Sequence, residues 1–315
     1  MPRSVSRRRV SSRRGAAAPV AGPRLGLVCQ TFSEAVRFRV VTRTRFLQMD
    51  EREQRQTLTR LYRTNLARLI RALRFCHRRG IGLYRCISNV FPLCDEPIGP
   101  AVLDALGSKL AQVGPLARRL GVRVVAHPDQ FIVLNSESPR VVETSLHLIG
   151  REAAVFDRLG LERSAWSCLI VHGGKSGRAD ALLGTIDRLP PGVRDRLALE
   201  NDERAYGAAE IFDLCRRSGL PMVFDAHHHV IKEKLGDFEH PSVRQWLEAA
   251  AGTWPDPAWQ VVHLSNGREG FNDPRHSEFI AAVPSCYAAA PWVEVEAKGK
   301  ERAIADLRRR WKPAR

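Results

Sequence analysis

Short apolar runs alternate along the chain with longer stretches in which apolar positions repeat at helical spacing. Residues 24–29 suit a first strand, and the mixed, Arg-rich residues 34–50 an ordered loop. From 51 to 79, Leu58, Tyr62, Leu66, Leu69 and Leu73 fall on one face at steps of four, four, three and four, which predicts a helix. Further strands are predicted at 82–87, 122–126, 168–171, 197–200, 221–225, 259–263 and 292–296. Helices are predicted over 100–120, 138–160, 178–188, 207–218, 241–250, 276–283 and 300–311. Eight strands alternating with eight helices is the count of an α/β TIM (β/α)8 barrel. The expected organisation is one such domain over 24–315, preceded by a basic tail, 1–23, of solvated-arm composition.

In this fold, chemistry gathers at the C-terminal strand ends. Leu197-Ala198-Leu199 stops abruptly at Glu200, and Asn201-Asp202-Glu203-Arg204 follows. A carboxylate at the mouth of a buried strand costs several kcal/mol unless it is paired or metal-bound. Six consecutive strands end in His127, His172, Glu200, Asp225, His263 and Glu296, with His228 and His276 in adjoining loops. A single His at a strand end is more often structural, but a series of this kind is hard to produce by chance. Imidazoles mixed with carboxylates suit Zn²⁺, Mn²⁺ or Fe²⁺ rather than Ca²⁺ or Mg²⁺. The ligands exceed what one ion needs, so the set implies two or three ions with a carboxylate such as Glu200 bridging. His77, His147 and His240 read as structural, and alternation alone does not choose among His227, His228 and His229. Gly174-Lys175-Ser176 looks like the end of a nucleotide-binding loop, but Leu169 stands where that motif needs Gly, so no nucleoside triphosphate site is indicated.

The charge balance changes the expected partner. There are 50 Lys and Arg against 34 Asp and Glu, with a pI near 10.3. The first 24 residues carry seven Arg and no acid, yet the remainder is still about +9 (16 minus 7). Such a surface favours a polyanion, and close-spaced cations on it fit in-line displacement at a phosphodiester. The Arg- and Ser-rich tail also has the composition of an organelle transit peptide, the less favoured reading. No apolar run is long enough to span a bilayer. The seven cysteines, at 29, 76, 86, 94, 168, 215 and 286, form no CxxC pair and read as reduced thiols of an intracellular protein.

Six stretches resemble the UV damage endonuclease family, a TIM-barrel relative of endonuclease IV: 25–27, 126–131, 197–204, 225–229, 262–264 and 295–301. The ALENDER and EAKGKE segments are the specific ones. The resemblance implies a DNA repair enzyme that nicks duplex DNA immediately 5′ of a lesion without ATP, leaving a 3′-hydroxyl and a 5′-phosphate. It implies that His127, His172 and Glu200 hold one ion; Glu200, Asp225, His263 and Glu296 a second; and His228 and His276 a third, since the pattern D-x-x-H selects His228. Glu200, Asp225 and Glu296 are then catalytic, and the cofactor is a cluster of divalent ions, Mn²⁺ first, with Zn²⁺ or Co²⁺ as alternatives. Gln130 and Phe131 match a polar–aromatic pair that wedges into the base stack, and Asn89, Lys175, Arg204 and Lys298 are assigned as DNA contacts. The implied protein is a monomer acting on damaged double-stranded DNA in a bacterial, nucleoid-associated cytoplasm. Phe131 stands where relatives often have Tyr, Leu27 where they often have an aromatic, and Val261 where they often have Lys. An apurinic-site endonuclease, a metal-dependent sugar isomerase and a catalytically silent DNA-binding barrel are the competing readings; the basic surface disfavours the isomerase.

Overall fold

Each predicted apolar run becomes one strand of a single parallel sheet. In the computed structural model, which describes residues 22–33, 36–128 and 131–312, the strands are β1 (Arg24–Val28), β2 (Leu83–Cys86), β3 (Arg123–Ala126), β4 (Leu169–His172), β5 (Leu197–Glu200), β6 (Met222–Asp225), β7 (Val261–Leu264) and β8 (Trp292–Val295). They pair in chain order and close through β8 onto β1, with Arg24 opposite Trp292 and Leu27 opposite Val295. The barrel can close tightly there because Gly26 has no side chain: a Cβ would lie 2.5 Å from Leu83 Cδ2 and 3.2 Å from the Glu294 backbone. Across the same seam, the Glu301 carboxylate accepts the backbone N–H groups of Phe32 (2.8 Å) and Ser33 (2.6 Å).

The helices are α1 (Arg43–Leu47), α2 (Glu51–Arg78), α3 (Gly99–Asp104), α4 (Gly107–Leu110), α5 (Val113–Leu120), α6 (Pro139–Arg158), α7 (Ala179–Ile186), α8 (Pro191–Arg194), α9 (Ala208–Ser218), α10 (Ala226–Lys232), α11 (Pro241–Ala251) and α12 (Glu301–Arg310). Three departures from the sequence expectation have physical causes. The helix expected over 100–120 is three pieces, and Pro115 lacks the N–H that would bond Ala111 O in a helix running on from α4 into α5. Gly114 also packs so close to the end of α6 that a Cβ would sit 2.0 Å from Gly160 O. The helix expected over 276–283 is absent: Asn266 Oδ1 takes the N–H groups of Ala281 (2.6 Å) and Ala282 (2.8 Å), pinning an extended path. The loop expected to carry His228 is instead α10, whose N-cap is Asp225, the last residue of β6.

Two interiors result. Helices cover the sheet's outer face with most of the apolar core. Inside the barrel, a smaller cluster joins Leu83, Val125, Cys168, Ile170, Ala198, Val223, Val261 and Trp292. All seven cysteines are free thiols, and no helix among the described residues is long and apolar enough to cross a membrane.

Candidate metal centre

Side chains on a strand alternate between faces, so inward positions step by two. That rule carries the apolar interior into a polar mouth. Val125 is followed inward by His127, Ile170 by His172, Ala198 by Glu200, Val223 by Asp225 and Val261 by His263. Glu200, almost fully buried, is the hub. Its Oε2 lies 2.9 Å from His127 Nε2 and 3.9 Å from His172 Nε2. Its Oε1 lies 2.7 Å from His263 Nδ1 and 3.5 Å from His228 Nδ1. Glu296 Oε1 is 3.7 Å from His263 Nδ1, and its Oε2 is 3.6 Å from His276 Nε2. Three sets can each offer ligand atoms within 4.8 Å of one another: His127, His172 and Glu200; Glu200, Asp225 and His228; and Asp225, His263 and Glu296. These clusters could hold metal ions, and the unpaired atoms fit that use. His172 Nδ1 and Asp225 Oδ2 are buried without a hydrogen-bond partner, an arrangement that costs about 1–3 kcal/mol per group unless something else satisfies it.

The three adjacent histidines separate cleanly. His227 is tied between Ser265 Oγ (2.9 Å) and Phe271 O (3.1 Å), and His229 meets Ser242 Oγ (2.8 Å). Only His228 turns to the cluster, because Asp225 Oδ1 caps α10 by accepting the His228 N–H (2.8 Å). His77, His147 and His240 bond Leu120 O, Asp95 and Ser242 respectively, away from the centre. Above the cluster opens a cavity of about 710 Å³ whose walls include Phe131, Lys175, Arg204 and His276. Phe131 is 73% exposed. Lys298 lines a neighbouring hollow with Arg85, Glu296 and Lys300. Asn89 does not line the cavity; its N–H donates to Glu152 Oε1 (3.0 Å). Leu27 and Val261 are fully buried in apolar packing. Gln130 lies outside the described residues.

The family model described as UV-endonuclease UvdE matches residues 23–313. The chain belongs to the UV-endonuclease UvdE family. It is 50% identical over 289 residues to the UV DNA damage endonuclease of Deinococcus radiodurans, covering 91% of this chain and 95% of that one. It is 47% identical over 293 residues to the UV DNA damage endonuclease of Nostoc sp., covering 92% and 91%. The solved structure of SacUVDE superposes with a TM-score of 0.77 at 22% identity, over 91% of this chain and 98% of that chain, and so shares the fold. A UvdE chain is an endonuclease of UV DNA damage repair, so its substrate is DNA.

Within this UvdE barrel, four residues that strand-tip reasoning missed organise the centre. Asn201 bridges β5 to β6: its side-chain N–H donates to Asp225 O and its Oδ1 accepts the Asp225 N–H, both at 2.9 Å. Glu203 brings Oε2 to 3.8 Å from His228 Nε2. Arg85, from β2, places Nη1 2.7 Å from Glu294 Oε1 and also bonds Glu296. Glu294, fully buried one layer below Glu296, has Oε1 3.4 Å from His263 Nε2. The signal for Arg85 and Glu294 was available: each lies two residues from another inward position. Asp202 has a different task, its carboxylate accepting the N–H groups of Arg204, Ala205 and Tyr206 to shape the loop. Gly173 and Gly174 are required next door, where Cβ atoms would meet Tyr206 Cδ2 at 2.5 Å and Asn135 Oδ1 at 2.3 Å.

The charges are tightly interlocked. Burial disfavours a charged Glu200, but His263 and His172 outweigh it and hold the carboxyl well below its usual range. Burial likewise opposes charge on His263, yet Glu200, Glu296 and Glu294 push it up to about 10. His228 is pushed up to about 9 against burial by Asp225, Glu200 and Glu203. The His263 and His228 imidazoles therefore stand in for cations, a proton on each offsetting the carboxylates where no ion is bound, whereas burial holds His172 below its ordinary value.

Proposed function

We propose that this chain nicks duplex DNA immediately 5′ of UV photoproducts by cation-assisted phosphodiester hydrolysis, leaving a 3′-hydroxyl and a 5′-phosphate. The observation that carries the reading is the convergence of His127, His172, Glu200, Asp225, His228, His263 and Glu296 on one buried carboxylate beneath an open, basic-rimmed cavity. His127, His172 and Glu200 would hold one ion, Glu200 with Asp225, His263 and Glu296 a second, and His228 with His276 a third. Mn²⁺ is the first choice, with Zn²⁺ or Co²⁺ as alternatives. Such ions supply an activated water and neutralise charge on the attacked phosphodiester. Glu200 would be shared between two of the ions; Asp225 and Glu296 would complete the anionic lining; Glu294 and Arg85 would orient His263 and Glu296.

Recognition falls to the rim. Phe131 presents an exposed aromatic plane at the cavity wall, suited to filling the gap that a weakly stacked lesion opens. Gln130 is its partner in this reading. Lys175 and Arg204 are exposed on the same cavity and suit backbone phosphates, as does Lys298 beside it. The protein acts as a monomer, with the chemistry in residues 24–315 and residues 1–23 adding non-specific affinity. The deciding experiment incubates the purified protein and Mn²⁺ with irradiated, abasic and undamaged duplexes. Nicking of the irradiated duplex at its 5′ side, with a ligatable 3′-hydroxyl, is expected. Cleavage of the abasic duplex alone would make the chain an apurinic-site endonuclease.

A further inference from the structure

On the outside of the barrel, next to its mouth, lies a second basic feature that the cleavage site does not use. A groove of about 490 Å³ runs between residues 39–49 and the middle of α2, residues 57–68. Arg39, Arg45, Arg60 and Arg68 line it, with Thr64 between them and Leu61 in the wall. Among the described residues, no carboxylate lies within ion-pair distance of any of the four. Nearby arginines do have partners: Arg43 meets Glu96 at 2.6 Å, and Arg55 meets Glu51 at 3.7 Å. The groove is built rather than accidental, because Asn65 fixes one wall to the other. Its Oδ1 accepts the Arg39 N–H (2.9 Å), and its Nδ2 donates to Arg39 O (2.9 Å) and Val90 O (2.8 Å). Arg68 is held below its ordinary value by partial burial and then by the like charges of Arg39 and Arg71. Four guanidiniums kept together without an acid leave an anion as the complementary ligand.

The position of the groove narrows the choice of anion. α2 has 28 residues and so is about 42 Å long, whereas a four-residue strand spans only about 13 Å. Its C-terminal end leads into β2 at the barrel floor. Tyr62 and Asn65 are already level with the loop after β2, to which they bond at Pro92 O (3.0 Å) and Val90 O. About three turns of α2 therefore rise past the strand tips, at the end of the barrel where the metal-binding side chains lie. The chain's own tail is unsuited to the groove, because residues 1–21 carry six Arg and no acid. We propose that this groove holds backbone phosphates of the duplex flanking the lesion, a second DNA-binding site beside the cleavage centre. Its arginines grip phosphates and its apolar wall faces the sugars, so it reads no sequence. It rests on the endonuclease reading of the mouth.

The test measures binding and nicking with Arg39→Ala/Arg60→Ala and with the charge-preserving Arg39→Lys/Arg60→Lys. Two irradiated duplexes are compared, one long and one trimmed closely around the lesion, together with a long undamaged duplex. On both long duplexes the alanine variant should lower the slope of log affinity against log salt by about 1–2. On the long irradiated duplex its KM should rise on the order of tenfold, with the loss in KM rather than kcat. The lysine variant should keep the slope, and the trimmed duplex should bind wild type and both variants alike. An unchanged slope on the long duplexes, or an equal loss on long and trimmed ones, overturns the proposal. So does inorganic pyrophosphate that binds the wild type but not the alanine variant while the DNA slope stays the same. The undamaged duplex reads the groove without nicking, so a wild type that fails to nick would sink the cleavage reading alone.

Discussion

The barrel's interior holds buried charge at both ends, and the two ends treat it in opposite ways. At the floor, Arg123 is 1% exposed and has no carboxylate partner. Its Nε donates to Trp166 O (2.7 Å), Nη1 to Trp259 O (2.6 Å) and Nη2 to Ala165 O (2.9 Å). Its guanidinium also lies 4.6, 5.5 and 5.4 Å from the ring centroids of Trp166, Trp254 and Trp292. Burial lowers it to about 10, still far above neutrality. At the mouth, two layers up, His172 Nδ1, Asp225 Oδ2 and Glu294 Oε2 are buried without a hydrogen-bond partner. A buried charge with each of its nitrogens hydrogen-bonded is a structural plug. A ring of buried groups with donors and acceptors left over is shaped for something that arrives later.

If the ends differ in this way, activity and stability should be lost at different ends. Glu200→Gln should lower nicking by roughly a thousandfold, since several kcal/mol of charge stabilisation is at stake. The metal-free protein should stay folded, with a smaller loss of melting temperature than the substitution at the floor. Full activity at saturating Mn²⁺ would remove Glu200 from the bridging role. Arg123→Met should do the reverse: stripped of their donors, the three carbonyls should cost about 2–4 kcal/mol of folding free energy, read by urea unfolding. Turnover per folded molecule should persist at low temperature. A loss of turnover without a loss of stability would erase the contrast between the ends.

Glu294 tests the layer between. Glu294→Gln should weaken Mn²⁺ binding by about 10–100-fold through the orientation of His263, measured as bound metal after dialysis. Proton release should accompany that binding. His263 is raised from 6.5 to about 10, so its contribution to the metal-free fold is complete below about 6.5 and fades as pH rises through about 10. A ligating imidazole must give up that proton, so Mn²⁺ affinity should increase with pH across this window, while Arg123 at the floor releases nothing. Affinity that is flat with pH would mean that His263 does not ligate. The rim should move neither quantity. Phe131→Ala should cost on the order of ten- to a hundredfold in the nicking ratio of irradiated to intact duplex, by the scale of base–aromatic stacking. Metal content and stability should be unchanged.

The sequence made the mouth more legible than its supports. Six of the strand runs were short, apolar and stopped by a His or a carboxylate, so β5 could be read up to Glu200 and β6 up to Asp225. The same alternation could have delivered Arg85 and Glu294, but each sits within a strand beside apolar neighbours, and a reading that weights strand ends passes over it. Arg123 was hidden for the opposite reason: at the start of a strand, an Arg usually faces solvent. The false helix over 276–283 had apolar spacing at Phe279, Ile280 and Val283, and what defeats it is Asn266, a side chain ten or more residues away. Glu203 lies within the specific ALENDER segment, yet its approach to His228 depends on how Asp202 bends the loop. Long-range side-chain-to-backbone bonds of this kind leave no local pattern to read.

The seam between β1 and β8 sets a timetable for synthesis. Candidate ligands are contributed from His127 to Glu296, and the clamp on Phe32 comes from Glu301, 269 residues later in the chain. A nascent chain emerging from the ribosome therefore carries His127, His172 and Glu200 long before it can close the ring that contains them. Until the last strand is made, β1 has an open edge and the ion sites have no eighth wall. Completing the barrel and assembling the candidate centre are thus one event.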